Sequence, residues 1–173
     1  MKGDLVIFDK DGTLIDFDAF WVSTSIYAIN DVLKKININI SADKILAAFG
    51  VENGISNIDG ILCKGTYEQM GNSFFEVAKD YGYTGTEKEL TSLLIEAYNI
   101  NANRGEIKPT CKDIRVVLEK LKLNDRKLAV VTTDNEEITY KCLIGLGILD
   151  LFDKINEFGV FKILSESGIA AGV

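Results

Sequence analysis

The chain of 173 residues has no histidine, one proline and one tryptophan. Without histidine, Ser-His and Cys-His catalysis are excluded, as are His-ligated zinc sites. Carboxylates are therefore left as the obvious catalytic groups. Basic residues are also outnumbered, with 19 Lys and Arg against 26 Asp and Glu, for a net charge of −7. This balance argues against nucleic acid as a partner, because phosphate backbones are bound by basic surfaces.

Cysteines and long apolar runs are also scarce. Cys63, Cys111 and Cys142 are widely spaced and follow no metal-like pattern, which is typical of reduced thiols in a cytoplasmic protein. The N-terminus has no apolar signal region, and no run approaches the length of a membrane span. We therefore expect a cytoplasmic protein with no membrane partner. The length suits one domain, or one domain with an insertion.

The most informative stretch is residues 4–16. The short apolar run from Leu5 to Phe8 predicts a buried strand, and it is followed at once by Asp9, Asp11 and Gly12. Open α/β sheets bind their ligands at the carboxyl edge, which is where two carboxylates directly after such a strand would lie. The alternative is a strand followed by an acidic turn, since Asp and Gly are common turn residues.

The two carboxylates suit phosphate chemistry. Asp9, fixed at the strand end, can attack phosphorus and form an acyl phosphate. Asp11, on the loop, can protonate the leaving oxygen and later activate water. An anionic nucleophile that approaches an anionic phosphate needs a hard cation between them, and Mg²⁺ held by one or two carboxylates is the usual solution.

Residues 9–16 read Asp-Lys-Asp-Gly-Thr-Leu-Ile-Asp. They resemble the first motif of the haloacid dehalogenase superfamily, and in particular its phosphoglycolate-phosphatase-like branch. The resemblance implies that Asp9 is the nucleophile and Asp11 the general acid and base. It also implies that the Asp9 carboxylate and the Asp11 backbone carbonyl bind Mg²⁺, and that Gly12 and Thr13 contact the substrate. Dehalogenases generally lack the second aspartate, so Asp11 favours a phosphatase.

A second strand, predicted over residues 128–131, ends in Thr132, Thr133 and Asp134. A hydroxyl at a strand end, next to the free amides of a helix start, suits a phosphate group. The alternative is that Thr133 or Asp134 only caps the helix predicted over residues 136–146. The second motif of the superfamily is an apolar strand that ends in Thr or Ser. The resemblance therefore implies that Thr132, with Thr133 beside it, holds the phosphoryl group.

Between these two strands the pattern is helical. Helices are predicted over residues 19–36, 41–49, 66–80 and 86–100, with a glycine-rich loop or broken helix at 50–65. Ser41 is a candidate N-cap, and Thr86 with Glu89 forms a capping box. Thr110 is expected to cap a helix that runs to about residue 123. The predicted fold is an α/β, Rossmann-like parallel-sheet core of residues 1–16 and 107–173 with an inserted all-helical cap domain at 17–106. In the superfamily such a cap closes over the site and selects the substrate.

Beyond Phe152 the resemblance ends. The third motif should supply a lysine and the fourth an acidic pair, but no aspartate follows Asp153. Lys162 is the candidate substrate-binding lysine, and Glu166 is a candidate metal ligand after a strand at 158–164. Alternatively, both are ordinary polar residues. The first strand would be an exposed apolar edge without a partner, so we predict that residues 158–164 or another protomer, in a homodimer, pairs with it.

The sequence therefore predicts a Mg²⁺-dependent phosphomonoesterase that acts on a small phosphorylated metabolite through an aspartyl-phosphate intermediate. Two alternatives stay open. One is a phosphomutase of the same superfamily, which would transfer the phosphoryl group to a second hydroxyl. The other is a truncated or catalytically impaired binding protein with the same fold, which the missing third and fourth motifs favour.

Overall fold

A computed structural model describes residues 4–134 and 136–156 of the chain. Numbered in chain order, its strands and helices are β1 (Leu5–Phe8), α1 (Ser23–Ile36), α2 (Ala42–Ala48), β2 (Val51–Glu52), β3 (Ile55–Ser56), α3 (Ile61–Lys64), α4 (Tyr67–Asp80), α5 (Glu87–Asn101), α6 (Ile114–Leu123), β4 (Lys127–Val131), α7 (Glu136–Gly145) and β5 (Lys154–Asn156). A π-helical turn at Asp18–Val22 precedes α1, and short 3-10 turns lie at Ala102–Arg104 and Leu149–Leu151. None of the described helices has the length and apolar character needed to cross a membrane.

The chain folds into two compact units. One combines the N-terminal residues up to Phe17 with the residues from Ile107 onward, and the other is the continuous segment Asp18–Glu106. The insert predicted from the sequence spans residues 17–106. The discontinuous unit contains β1, β4 and both predicted site motifs, so it is the unit that positions the candidate site.

The discontinuous unit is built on a parallel sheet with the strand order β1-β4-β5. The α/β core predicted from the sequence is confirmed. Leu128, Ala129 and Val130 in the central strand are completely buried, and Leu128 and Val130 belong to the apolar core of this unit. In the described part of the chain β1 pairs with β4 alone. Residues 158–164, predicted as its second partner, lie outside the described residues, so that hypothesis stays a prediction.

The core of this unit lies between the sheet and helices α6 and α7. Its buried members come from the loop after β1, from α6, β4 and α7 and from the turn that follows α7: Leu14, Leu118, Leu128, Val130, Leu143, Ile148 and Leu151. Leu118 of α6 and Leu143 of α7 thus pack in the same apolar core as the strand residues Leu128 and Val130. Helix α7 ends at Gly145, one residue before the predicted end.

The start of α6 differs from the prediction. The helix begins at Ile114 rather than after Thr110. The Thr110 side chain does not cap it, because its hydroxyl donates to the Thr13 carbonyl oxygen at 2.6 Å. The Thr110 backbone amide also donates to the Leu14 carbonyl oxygen, at 3.2 Å. Thr110 thus ties the returning chain to the loop after β1 instead of starting a helix.

The inserted unit is mainly helical, with α1, α4 and α5 around an apolar core that includes Ile29, Phe49, Phe74, Leu90 and Leu94. The capping box predicted for α5 is confirmed. The Glu89 amide donates to the Thr86 hydroxyl at 3.2 Å, and the Thr86 amide donates to the Glu89 carboxylate at 2.8 Å. Ser41 occupies the N-cap position of α2 without a side-chain capping bond.

The expectation of an all-helical insert needs one correction. Residues 50–65 hold a two-stranded hairpin, β2–β3, and the short helix α3. Asn53 and Gly54 join the strands with φ angles of 52° and 78°. Positive φ at both central residues is the geometry that an Asn-Gly pair favours in a tight hairpin. The Asn-Gly dipeptide was therefore the turn signal that the glycine-rich loop prediction overlooked.

Candidate active site

The loop after β1 is a tight turn that presents Asp9 at the carboxyl edge of the sheet. The Lys10 carbonyl oxygen accepts hydrogen bonds from the amides of Leu14 and Ile15, at 2.9 and 3.1 Å. Gly12 makes the turn possible with a φ of 72°, a conformation that costs glycine little. Leu14 and Ile15 are completely buried below the turn. Their burial anchors the loop, and Asp9 at its start is exposed.

Strand β4 brings the second motif to the same edge. Phe8 lies opposite Val130 in the parallel pairing, so the carboxyl ends of β1 and β4 coincide. Thr132 follows β4 directly and is 5% exposed. Its hydroxyl oxygen accepts a hydrogen bond from the Asp134 amide at 3.2 Å, and a hydroxyl that accepts one bond can still donate its own proton. Thr133 is exposed.

An ion-pair cluster joins the two motifs. The Lys10 ammonium group lies 2.7 Å from Oδ1 of Asp11 and 2.6 Å from Oδ2 of Asp134. The Lys10 side chain is completely buried, whereas Asp11 and Asp134 keep 21% and 15% of their side-chain surface exposed. This cluster connects the loop after β1 with the loop after β4.

The reasoning from the sequence missed this cluster. It gave Lys10 no role, and it treated Asp134 only as a candidate helix cap. The available signal was a lysine placed between two aspartates directly after a buried strand, at a position where a long side chain can turn toward the neighbouring strand end. The partner on that neighbouring strand could not be chosen from sequence spacing.

Burial and charge shift the pKa values of three groups at this edge. Although Asp9 is exposed, partial loss of water contact raises its pKa, and the nearby Asp11 carboxylate adds to the rise. The Lys10 backbone amide opposes it. For Lys10, burial lowers the pKa, but Asp11 and Asp134 together outweigh burial and raise it. Burial raises the pKa of Asp134, against the attraction of Lys10. The cluster thus holds a charged lysine between two carboxyl groups.

The donors at this edge fit Mg²⁺. This ion prefers oxygen ligands, and proteins often hold it with one or two carboxylates while the substrate phosphate and water complete its shell. Asp9 and Asp11 offer such oxygens, and a cation beside Asp9 would offset the pKa rise caused by burial. Among the residues that the structure describes, no group of three or more His, Cys, Asp or Glu is arranged to hold a metal. Glu166, the further metal ligand suggested by the sequence, lies outside the described residues.

The structure describes the positions of all the predicted site residues except Lys162. Asp9 and Asp11 lie on the loop after β1, with Gly12 and Thr13 exposed beside them. Thr132 and Thr133 lie on the loop after the adjacent parallel strand. The sheet therefore brings both motifs to one edge. Lys162 lies outside the described residues, and its predicted role stays a prediction.

Solved structures share this fold. A candidate phosphatase from Clostridium difficile matches with a TM-score of 0.64 and 17% identity over 99% of this chain and 73% of that one. A predicted phosphoglycolate phosphatase from Haemophilus somnus 129PT matches with a TM-score of 0.63 and 17% identity, over 98% and 73% of the two chains. A candidate β-phosphoglucomutase from Thermotoga maritima matches with a TM-score of 0.58 and 16% identity, over 96% of this chain and 72% of that one. At these identities the likeness concerns the fold.

The sequence gives the more specific result. No curated protein matches the chain. A family model described as haloacid dehalogenase-like hydrolase matches residues 4–166, a span that includes the loops after both β1 and β4. The chain therefore belongs to the family of haloacid dehalogenase-like hydrolases.

Proposed function

We propose that the chain is a Mg²⁺-dependent phosphomonoesterase that works through an aspartyl phosphate on Asp9. The observation that carries the proposal is the common sheet edge, at which the Asp9–Asp11 loop after β1 adjoins the Thr132 loop after β4. This arrangement supports the roles that we propose, with Asp9 as the nucleophile, Asp11 as the proton-transfer group and Thr132 as a hydroxyl donor. Such a constellation suits phosphoryl transfer.

The first half-reaction breaks the ester bond of the substrate. An oxygen of the Asp9 carboxylate attacks phosphorus, the bond from phosphorus to the ester oxygen breaks, and Asp11 protonates the departing oxygen. In the second half-reaction Asp11 takes a proton from water. That water attacks the phosphorus of the acyl phosphate, so Asp9 is regenerated and inorganic phosphate leaves.

Other groups bind and orient the phosphoryl group. The Thr132 hydroxyl and neighbouring backbone amides would donate to its oxygens, with Gly12, Thr13 and Thr133 beside them and Lys162 as a further cationic contact. Bound by the Asp9 carboxylate and the Asp11 backbone carbonyl, Mg²⁺ would supply the positive charge that lets an anionic nucleophile approach an anionic phosphate. We assign the inserted unit, Asp18–Glu106, the role of a cap that selects a small phosphorylated metabolite. We further propose that this reaction takes place in the cytoplasm.

One alternative function has support in the sequence. No aspartate follows Asp153 within these 173 residues, so they supply no Asp pair of the kind that the family resemblance implies for the metal site. The alternative is a non-catalytic protein that keeps the fold and binds phosphate or a partner. A phosphomutase would be recognised by its need for a sugar bisphosphate as activator.

The test is turnover of an aryl phosphate with and without Mg²⁺. The protein is compared with Asp9→Asn and with a matched control, Asp4→Asn, which makes the same substitution at an exposed residue before β1. We expect metal-dependent turnover that falls about a thousandfold or more in Asp9→Asn, as is usual when a nucleophile is removed, and that is unchanged in Asp4→Asn. Retained turnover in Asp9→Asn contradicts the mechanism. A folded wild-type protein without turnover supports the non-catalytic alternative.

A further inference from the structure

Lys10 is the largest side chain that the structure buries completely at the candidate site. Lysine is almost never fully buried unless it is paired, because the desolvation of an ammonium group costs several kcal/mol in real proteins. Both carboxylates described above lie within charge-assisted hydrogen-bond distance of its ammonium group. Asp11 is one of them, and the proposed mechanism uses Asp11 for both proton transfers.

The backbone on each side of this cluster is fixed. The Lys10 carbonyl oxygen is held by the amides of two fully buried residues, Leu14 and Ile15. On the other strand, the Asp134 amide is held by the Thr132 hydroxyl. The Lys10 ammonium group is therefore a fixed point between two anchored loops, whereas the Asp11 side chain keeps part of its surface in solvent.

We propose that Lys10 is a positioning residue that fixes the Asp11 carboxylate for proton transfer, with Asp134 as the second anchor of the ammonium group. The inference rests on the proposed function, because Asp11 needs a defined orientation only if it transfers protons. A general acid must come within hydrogen-bond reach of the leaving oxygen. A misplacement of about 1 Å can reduce the rate about a hundredfold, and one contact at 2.7 Å removes much of the rotational freedom that would allow it.

The competing explanation is that Lys10 only neutralises the buried Asp134 carboxylate. Removal of Lys10 would then damage the protein through Asp134 and not through Asp11. The two explanations can be distinguished when the Asp134 charge is removed as well. In Asp134→Asn, Lys10 no longer has a charge at position 134 to balance. The decisive comparison is therefore Lys10→Met/Asp134→Asn against Asp134→Asn alone.

In that comparison we measure kcat and KM for an aryl phosphate and the thermal unfolding of each variant. If Lys10 positions Asp11, the double variant is as stable as Asp134→Asn, but its kcat is about a hundredfold lower, with KM changed less than about threefold. Equal kcat values in the two variants overturn the inference. A fall in thermal stability with no separate loss of kcat overturns it as well, since that is the result of a purely structural lysine.

Crystal structures of the wild-type protein and of the double variant test the positioning contact independently of the kinetic comparison. We expect Lys10 Nζ in contact with an Asp11 carboxylate oxygen in the wild type, and a changed or disordered Asp11 side chain in the variant. An Asp11 carboxylate with the same orientation in both crystals overturns the inference, even for an active phosphatase. A well-ordered Lys10–Asp11 pair in a wild type without turnover contradicts the proposed function instead, while the positioning contact stands.

Discussion

Asp153 offers a quantitative test of how the site-bearing sheet is held together. One oxygen of its carboxylate, Oδ2, accepts hydrogen bonds from the Leu128 amide and from Lys122 Nζ, both at 2.8 Å. Its own amide donates to the Leu128 carbonyl oxygen, also at 2.8 Å. Asp153 therefore joins the start of β5 to the start of β4, the strand that leads to Thr132, and to helix α6.

The change is Asp153→Ala, which leaves the Leu128 amide without its carboxylate acceptor. Leaving a buried hydrogen-bonding group without its partner lowers the free energy of unfolding by about 1–3 kcal/mol. Leu128 is completely buried. The half-exposed ion pair with Lys122 adds no more than about 1 kcal/mol. We expect a loss of about 2 kcal/mol in the free energy of unfolding and, for a chain of this length, a melting temperature about 4–8 °C lower.

The effect should depend on pH in a defined direction. Burial alone would raise the pKa of Asp153, but the bonds from Lys122 and the Leu128 amide outweigh it and hold the pKa below its usual value. A carboxyl group with a depressed folded-state pKa stabilises the fold above its unfolded-state pKa of about 3.9. This stabilisation is lost as the pH falls through the folded-state value. The difference in the free energy of unfolding between wild type and Asp153→Ala should therefore have its full value at pH 6 and decrease below about pH 4.

Urea unfolding at several pH values measures this difference, with Lys122→Met as the matched control that removes only the ion pair. We expect the control to lose about 0.5 kcal/mol. An Asp153→Ala variant no less stable than Lys122→Met would refute the reasoning, because the Leu128 bond would then contribute nothing. The reasoning would also be refuted if the difference in the free energy of unfolding between wild type and Asp153→Ala grew as the pH fell.

Three further predictions follow from packing and exposure. In Gly71→Ala the new Cβ would overlap the side chain of Thr91, so thermal unfolding should show a loss of about 1–3 kcal/mol in stability despite the better helix propensity of alanine. A variant as stable as the wild type would contradict the packing of α4 on α5. Cys111 is exposed, whereas Cys142 is buried with a pKa raised to about 11 by burial, so a thiol reagent should label Cys111 quickly and Cys142 only on unfolding. We also predict a homodimer if residues 158–164 do not cover the outer edge of β1, and light scattering of the purified chain would detect it; a monomer with an uncovered β1 edge would contradict both arrangements.

The elements that the sequence predicted well depend on local signals. The strand Leu5–Phe8 and the capping box of Thr86 and Glu89 form where the sequence predicts them, because a short apolar run and reciprocal capping are both local signals. The strand is half-buried in the described structure, however, and not fully buried as predicted. The common edge of β1 and β4 also followed from a general property, since the carboxyl ends of parallel strands meet.

The features that the sequence did not predict depend on contacts between distant segments. Thr110 looked like a helix cap, but its hydroxyl bonds to the Thr13 carbonyl oxygen, 97 residues away in the chain. Lys10 was given no role, and its ammonium group pairs with Asp134 from the loop after the neighbouring strand. Local propensity carries no information about such partners, so the ion-pair cluster became visible only once the two loops were placed together.

The central claim is that Asp9 carries the phosphoryl group during turnover. The most direct measurement traps that intermediate: the protein is mixed with an aryl phosphate and Mg²⁺, quenched in acid, reduced with borohydride and mapped by mass spectrometry. Borohydride reduces an aspartyl phosphate to homoserine, so we predict homoserine at position 9 in the sample with substrate and none without it. Turnover that leaves Asp9 unmodified, or that places homoserine at position 11 instead, would contradict the account.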